Sequence, residues 1–342
     1  MSPTPGSTTP NGGGELMQPR AIDRWPRGIA CDGGFKLLGT PLGFAGSAHP
    51  GLLFYSGIDD TVPLQGQRIL TTPFAAAAIG ASRRGLDALV LDYERKVRLG
   101  RMDIRLLSSG FGPGSAVLEI GFQDRRILYC GAVRTAAPLL GLPANPSPCD
   151  LLLLDAAPAA PRGIAPRTAA RRLDAAVRQM LSDGAVATVA CGSRTAAIEA
   201  AHVLGQIDTP LVACRPIFEM LRRVERFGLA LPRLRRLEQT WPDSGAVLHY
   251  AHLLPQSSDE AKTARTVFVG PAALGRPSGG AFIRLGEGAD RPELVEFAMR
   301  TGAAHVALGP RCDAQTAMMI EKAGALVYRV HHPTQIPLPL PL

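Results

Sequence analysis

Four consecutive leucines, Leu151–Leu154, stand between Asp150 and Asp155. Successive side chains of a strand point to opposite faces, so a strand with no polar residue on either face needs an apolar layer on both sides. The run is far below the roughly 18–20 residues that cross a bilayer. It reads as a central strand of a layered α/β protein, ending at Asp155 where polar groups reappear.

The segments around it alternate in the same sense. Short β-like runs cover Leu37-Leu38, 51–55, 104–107, 116–120 and 127–129, and an Ala-rich helix from Phe74 to Arg84 is entered by Pro73. From about residue 165 strands and helices take turns. Thr168–Ser182 forms a basic amphipathic helix with Leu173, Val177 and Met180 on one face, and 186–190 a strand. Ser193–Leu204 is a helix with Ser193 as N-cap, 211–213 a strand, and Ile217–Phe227 a helix that Gly228 ends. After a less regular stretch come strands at 267–269 and 281–285, a helix at 293–301 and a strand at 305–308. A helix at 314–323, closed by Gly324, leads into a last strand at 326–330. Such alternation argues for α/β layers.

Composition sets outer bounds. With 342 residues, 46% of them hydrophobic and 19% charged, the chain has the core of one large or two modest globular domains. The Pro- and Gly-rich residues 1–20 have too little apolar content to order, and the tail 333–342 is kept extended by alternating prolines. Six cysteines (31, 130, 149, 191, 214 and 312) include no Cys-x-x-Cys pair and read as buried free thiols of a reducing cytosol. No signal peptide or spanning segment is read, so a cytoplasmic protein without a membrane partner is expected. The formal charge of +8 suits an anionic partner such as RNA or DNA, although only four of 37 basic residues are lysines, which points also to coding bias.

Two motifs carry a resemblance. Ser108-Ser109-Gly110-Phe111-Gly112-Pro113-Gly114-Ser115-Ala116, followed by Tyr129-Cys130-Gly131-Ala132, resembles the β-CASP group of metallo-β-lactamase nucleases. Those read roughly Pro-Ala-Gly-His-x-x-Gly-Ser-Ala and Tyr-Thr-Gly-Asp. Residues 51–63 resemble a strand entering Ser-His-x-His-x-Asp-His, and Arg68–Pro73 the next strand and helix entry. Cys149-Asp150 and the leucine run are similar to Cys-Asp-x-Leu-x-x-Glu, which places Asp155 on a retained acidic position. Residues 190–195 take the place of a Gly-Arg-x-Gln turn. Gly288 falls on a His of a Leu-Ser-Asp-His-Ala-Asp segment, and Leu308 on the His of Thr-His-Gly. The order and spacing hold from about 28 to 330, and the nearest likeness is to bacterial ligase-associated exonucleases and RNA-processing nucleases.

The resemblance implies an αββα metallo-β-lactamase sandwich, built from 21–165 and 281–332, with an α/β β-CASP-like insert at 166–280. It also implies a two-zinc centre that this sequence does not supply. The seven ligand positions hold Gly57, Asp59, Thr61, Val62, Phe111, Ala132 and Leu308, of which only Asp59 is a firm donor. Phe111, Val62 and Leu308 predict a space filled by hydrocarbon. The expectation is a pseudoenzyme with no catalytic residue, no metal and no cofactor. It would bind RNA or DNA, or act as a scaffold or regulator paired with an active homologue or a second copy of itself. The alternative is an active metal-dependent exonuclease in RNA processing or DNA repair, with two zinc ions held at a relocated or partner-completed site.

Other residues weigh on these readings. Asp59, Asp60, Asp155, Glu287 and Asp290 are candidates for a residual cluster taking Mg²⁺ or Ca²⁺, or for solvated loop carboxylates. His249 and His252 have i, i+3 spacing without the Glu of a helical zinc motif, and Ser193 lacks the setting of a nucleophile elbow. Arg194, Arg215, Arg222, Arg223 and Arg226 are the candidate phosphate contacts, against the plainer reading of a solvated basic face. Aromatic content of 5% argues against an extensive base-stacking platform.

Overall fold

The structure is a computed structural model that describes residues 29–31, 35–37, 39–44, 51–61, 63, 65–122, 124–159, 164–229, 231, 233–238, 240–254, 265–271 and 281–329. The expectations for the tails 1–20 and 333–342, and for Val62, lie outside the described residues.

The first six strands enter one sheet in chain order: β1 (Ile29–Cys31), β2 (Phe35–Leu37), β3 (Leu42–Phe44), β4 (Leu52–Phe54), β5 (Arg68–Thr71) and β6 (Asp87–Val90). Pairing is antiparallel through β3 and parallel from there on. The parallel step from β5 to β6 is bridged by helix α1 (Pro73–Ile79), whose N-cap Thr72 accepts a hydrogen bond from the Ala75 amide. The sequence suggests that this helix runs on to Arg84. It stops at Gly80, whose φ of 67° puts it in the left-handed region, and a short 3₁₀ turn, Ser82–Arg84, follows.

A second sheet starts as a meander of β7 (Lys96–Leu99), β8 (Met102–Ser108), β9 (Ala116–Phe122) and β10 (Arg125–Cys130). The leucine run is β11 (Leu151–Leu154), parallel to β10. Here the chain leaves for more than a hundred residues. Helix α2 (Pro166–Ser182) precedes an all-parallel sheet of β12 (Ala187–Cys191), β13 (Leu211–Ala213), β14 (Leu234–Arg236), β15 (Ala246–Tyr250), β16 (Arg265–Gly270) and β17 (Ala281–Arg284). Its spatial order is β14-β13-β15-β12-β16-β17. Helices α3 (Arg194–Leu204) and α4 (Arg215–Val224) follow β12 and β13. The irregular stretch of the sequence reading contains β14 and β15, and this places His249 on a strand rather than a helix.

The chain returns through α5 (Arg291–Arg300), β18 (His305–Leu308), α6 (Ala314–Lys322) and β19 (Leu326–Arg329). These two strands extend the second sheet to the order β19-β18-β11-β10-β9-β8-β7. Exit and re-entry are tied together, since the Ala159 amide donates to the Ala289 carbonyl at 2.8 Å.

Alternate leucines of β11 serve different cores, as a strand buried on both faces requires. Leu151 and Leu153 face the first sheet in a cluster with Phe35, Phe44, Phe54, Leu118 and Tyr129. Leu152 and Leu154 pack outward with Leu294, Phe297 and Ile320 of α5 and α6. On the far side, Leu53, Tyr55, Ile58 and Ile69 share a third cluster with α1, α3, α4 and the parallel sheet. The protein is therefore an α/β fold: two facing sheets, helices on the outer face of one, and a parallel sheet with its helices docked against the other. Among the described residues no helix is long and apolar enough to cross a membrane.

Candidate functional site

The loops that follow β4, β8, β10, β11, β17 and β18 meet at one end of the paired sheets. The Arg134 amide donates to the Ser109 carbonyl (2.8 Å), the Ala289 amide to the Val133 carbonyl (2.7 Å), and the Ala116 amide to the Ser56 carbonyl (2.7 Å). These are the loops on which the sequence motifs fall.

At this corner lies a buried ion-pair cluster. Asp155, 2% exposed, accepts from the Arg311 backbone amide (3.2 Å) and from its guanidinium Nε (3.0 Å), with Nη2 completing the ion pair at 3.0 Å. The same guanidinium reaches Asp60 Oδ1 at 3.4 Å. Asp60 spends its other oxygen on the Ser56 amide (3.2 Å), the Ser56 hydroxyl (2.6 Å) and the Gly57 amide (3.1 Å). Burial works against the Arg311 charge, but Asp155 leads a set of neighbours that outweighs it and holds the group above its ordinary pKa. Gly309 makes the approach of β18 to Asp155 possible, because a Cβ there would lie 2.4 Å from Asp155 Oδ1. Beside the cluster the Tyr129 hydroxyl is fully buried and without a hydrogen-bond partner. Burial first, then the charges of Asp155 and Asp60, push its pKa well up.

The candidate ligand positions are used differently from one another. Asp59 turns to the parallel sheet, where its carboxylate accepts from the first amides of α3, Arg194 (2.7 Å) and Thr195 (3.2 Å), while Ser193 caps the Ala196 amide at 3.1 Å. Burial raises the Asp59 pKa against these bonds. Gly57 lies under Ser115, Thr61 is exposed and Ala132 is half-buried. Phe111, half-buried, has its ring 3.7 Å from where a Cβ on Gly288 would sit, so these two motif positions do adjoin. Leu308 does not join them; it closes the outer apolar cluster with Cys130, Leu154 and Leu294. The expectation of a hydrocarbon-filled centre therefore needs correction. Asp60 and Asp155 remain as carboxylates, and burying them demands a cation, which Arg311 provides.

The five carboxylates of the sequence reading do not gather. Only Asp60 and Asp155 come together, through Arg311; Glu287 pairs with Arg284, and Asp290 caps α5 by accepting from the Glu293 amide at 3.1 Å. Among the described residues no group of three or more His, Cys, Asp or Glu side chains forms a metal-ligand set. The candidate phosphate contacts are also partly engaged. Arg215 pairs with Glu219 (2.8 Å) and Arg222 with Glu225 (2.6 Å), and Arg226 lies over the Phe227 ring at 5.0 Å. Arg194 donates to the Ile58 carbonyl (2.7 Å), and Arg223 to the Ala77 (2.9 Å) and Ala78 (3.0 Å) carbonyls at the end of α1.

Sequence reasoning missed Arg311. Nothing marks it locally except that it comes two residues after Gly309, which directly follows a buried strand. Glu199 was missed too. It is 4% exposed on α3, accepts from the Gly286 amide at 2.8 Å, and is pushed up to about 7, first by burial.

No family model and no curated protein matches the chain. Its fold is similar to a crystal structure of a protein of unknown function from Enterococcus faecalis V583. That likeness covers 84% of this chain and 81% of that one, with a TM-score of 0.57 at 13% identity.

Proposed function

We propose that the protein is a β-CASP-type metallo-β-lactamase homologue that binds nucleic acid without cutting it, its two-metal centre replaced by an internal ion pair. The carrying observation is Arg311, whose guanidinium lies between Asp60 and Asp155 at the meeting point of the motif loops. The order of the elements supports the family reading: two facing sheets split by a parallel α/β insert, with the exit and return of the chain joined at Ala159 and Ala289.

A pair of zinc ions does not fit the donors present. Gly57, Phe111, Ala132 and Leu308 offer no side-chain donor, and Asp59 is spent on the α3 amides. Asp60 and Asp155 already face a cation held by several hydrogen bonds. A corner whose side chains cannot hold such ions lacks the means to lower the pKa of water and to clamp a scissile phosphate, which this chemistry needs. Binding does not depend on those parts. A net charge of +8 and the arginines of the insert favour a polyanion, whose affinity would fall steeply with salt as counterions are released.

Elemental analysis of the purified protein, run beside cleavage assays on RNA and DNA, tests the reading. The expected result is less than stoichiometric zinc, no chelator-sensitive cleavage, and binding that weakens with salt. Stoichiometric metal with cleavage abolished by chelator overturns it. Co-purification of an active homologue, with no affinity for any polynucleotide, would leave only a protein-binding subunit.

A further inference from the structure

The parallel sheet has a crevice that the ion-pair cluster of Asp60, Asp155 and Arg311 does not line. β12 and β15 are neighbours, and the chain leaves them in opposite directions, from β12 toward β13 and from β15 toward β16. In open α/β sheets the carboxyl ends of two such strands are where ligands bind. A cavity of about 500 Å³ opens at this place, between Ser193 and Arg194 after β12 and Tyr250 and His252 after β15. That is within the size range of small-ligand sites.

Its walls carry two kinds of chemistry. Arg84, Arg194 and Arg223 are among the lining residues. Glu219 is there too, held by Arg215 at 2.8 Å and 4.0 Å from the Arg223 guanidinium, and Asp59 is taken up by the α3 amides. Arg223 rests on Gly80, with guanidinium atoms 3.5 Å from where a Cβ would be, and its donors to the α1 carbonyls fix its direction. Burial lowers the Arg223 pKa; Glu219 opposes this, while Arg83 and Arg84 add to it. An anion in the cavity would relieve that crowding of like charges. Tyr250 and His252, which also line it, stack with ring centroids 5.5 Å apart and planes at 25°. His252 is exposed and presents a ring to the opening. Guanidinium groups match phosphate oxygens, and an aromatic pair offers a base a face to stack on.

We propose that this crevice binds a nucleoside phosphate unit, the phosphate on Arg84, Arg194 and Arg223 and the base on the Tyr250–His252 pair. The inference deepens the nucleic-acid reading and rests on it, since a single strand threaded past the insert would leave one nucleotide here. Calorimetric titration of the full chain with adenosine 5′-monophosphate at low salt tests it, with adenosine and inorganic phosphate as separate probes. Saturable binding of one equivalent is expected, with either half alone at least about tenfold weaker. Arg84→Gln and His252→Ala change exposed side chains, and circular dichroism checks that both variants fold. Each is expected to weaken binding about tenfold. No saturable binding by the folded protein, or affinity unchanged in both variants, overturns the site. A labelled single-stranded oligonucleotide separates this from the broader reading: if it binds with a salt slope that neither variant alters, the crevice assignment fails and the polyanion reading stands.

Discussion

A carboxylate as deeply buried as Asp155, 2% exposed, costs several kcal/mol unless a cation and hydrogen bonds meet it. Arg311 supplies two hydrogen bonds, one from its backbone and one from its side chain, and a further ion-pair contact, and its side chain keeps 38% exposure, so that the desolvation falls mostly on the carboxylate. Removing the guanidinium therefore hurts more than its own exposure suggests. Arg311→Ala is expected to lower the unfolding free energy by about 3 kcal/mol in urea denaturation, and the Arg311→Ala, Asp155→Ala pair by less than the sum of the single changes. Additive losses would mean that the two side chains act independently. At this scale the sequence was half legible. Asp155 is marked as the polar end of a buried strand by the apolar run before it, but its partner lies 156 residues away and is reached only through Gly309.

Elements meet across the boundary between the parallel sheet and the paired sheets through side chains that cap helices or loops. Asp59 and Ser193 together satisfy the first three amides of α3, which would otherwise be orphaned in a buried helix start. At the middle of the same helix Glu199 holds the return loop by its bond to Gly286. Its folded pKa of about 7 lies above the ordinary glutamate value of 4.5, so the native state takes up a proton that the unfolded chain has released. The stabilising share is complete below about pH 4.5 and is lost as pH rises through 7, an effect on the order of 3 kcal/mol at most. Melting temperatures compared between pH 5 and pH 8 should fall more for the native chain than for Glu199→Gln, which keeps an acceptor for Gly286. Parallel curves would place the Glu199 carboxyl in water. The helices themselves are legible, since Pro, Ser and Gly punctuate them, but Gly80 lies inside an Ala-rich run and ends α1 earlier than that run predicts. The short strands β14 and β15 were not seen, because three to five residues give too few alternations to separate a strand from a loop.

For the whole molecule the question is whether the insert is a separable unit. Its helices α3 and α4 share one apolar cluster with α1, Leu53, Tyr55 and Ile69, and its two chain crossings are joined at Ala159 and Ala289. A common core of that kind makes the parts unfold together, and scanning calorimetry is expected to show one transition with matching calorimetric and van't Hoff enthalpies. Two resolved transitions would show that the insert melts alone. Periodicity, turn residues and the paired faces of Leu151–Leu154 determined by themselves that the chain builds α/β layers, because those signals act within a few residues of one another. Only the tertiary structure decided what meets Asp155, where Asp59 turns, and which arginines surround a cavity. Each of those depends on loops brought together from distant parts of the chain, and charge pairing at that range leaves no local pattern to read.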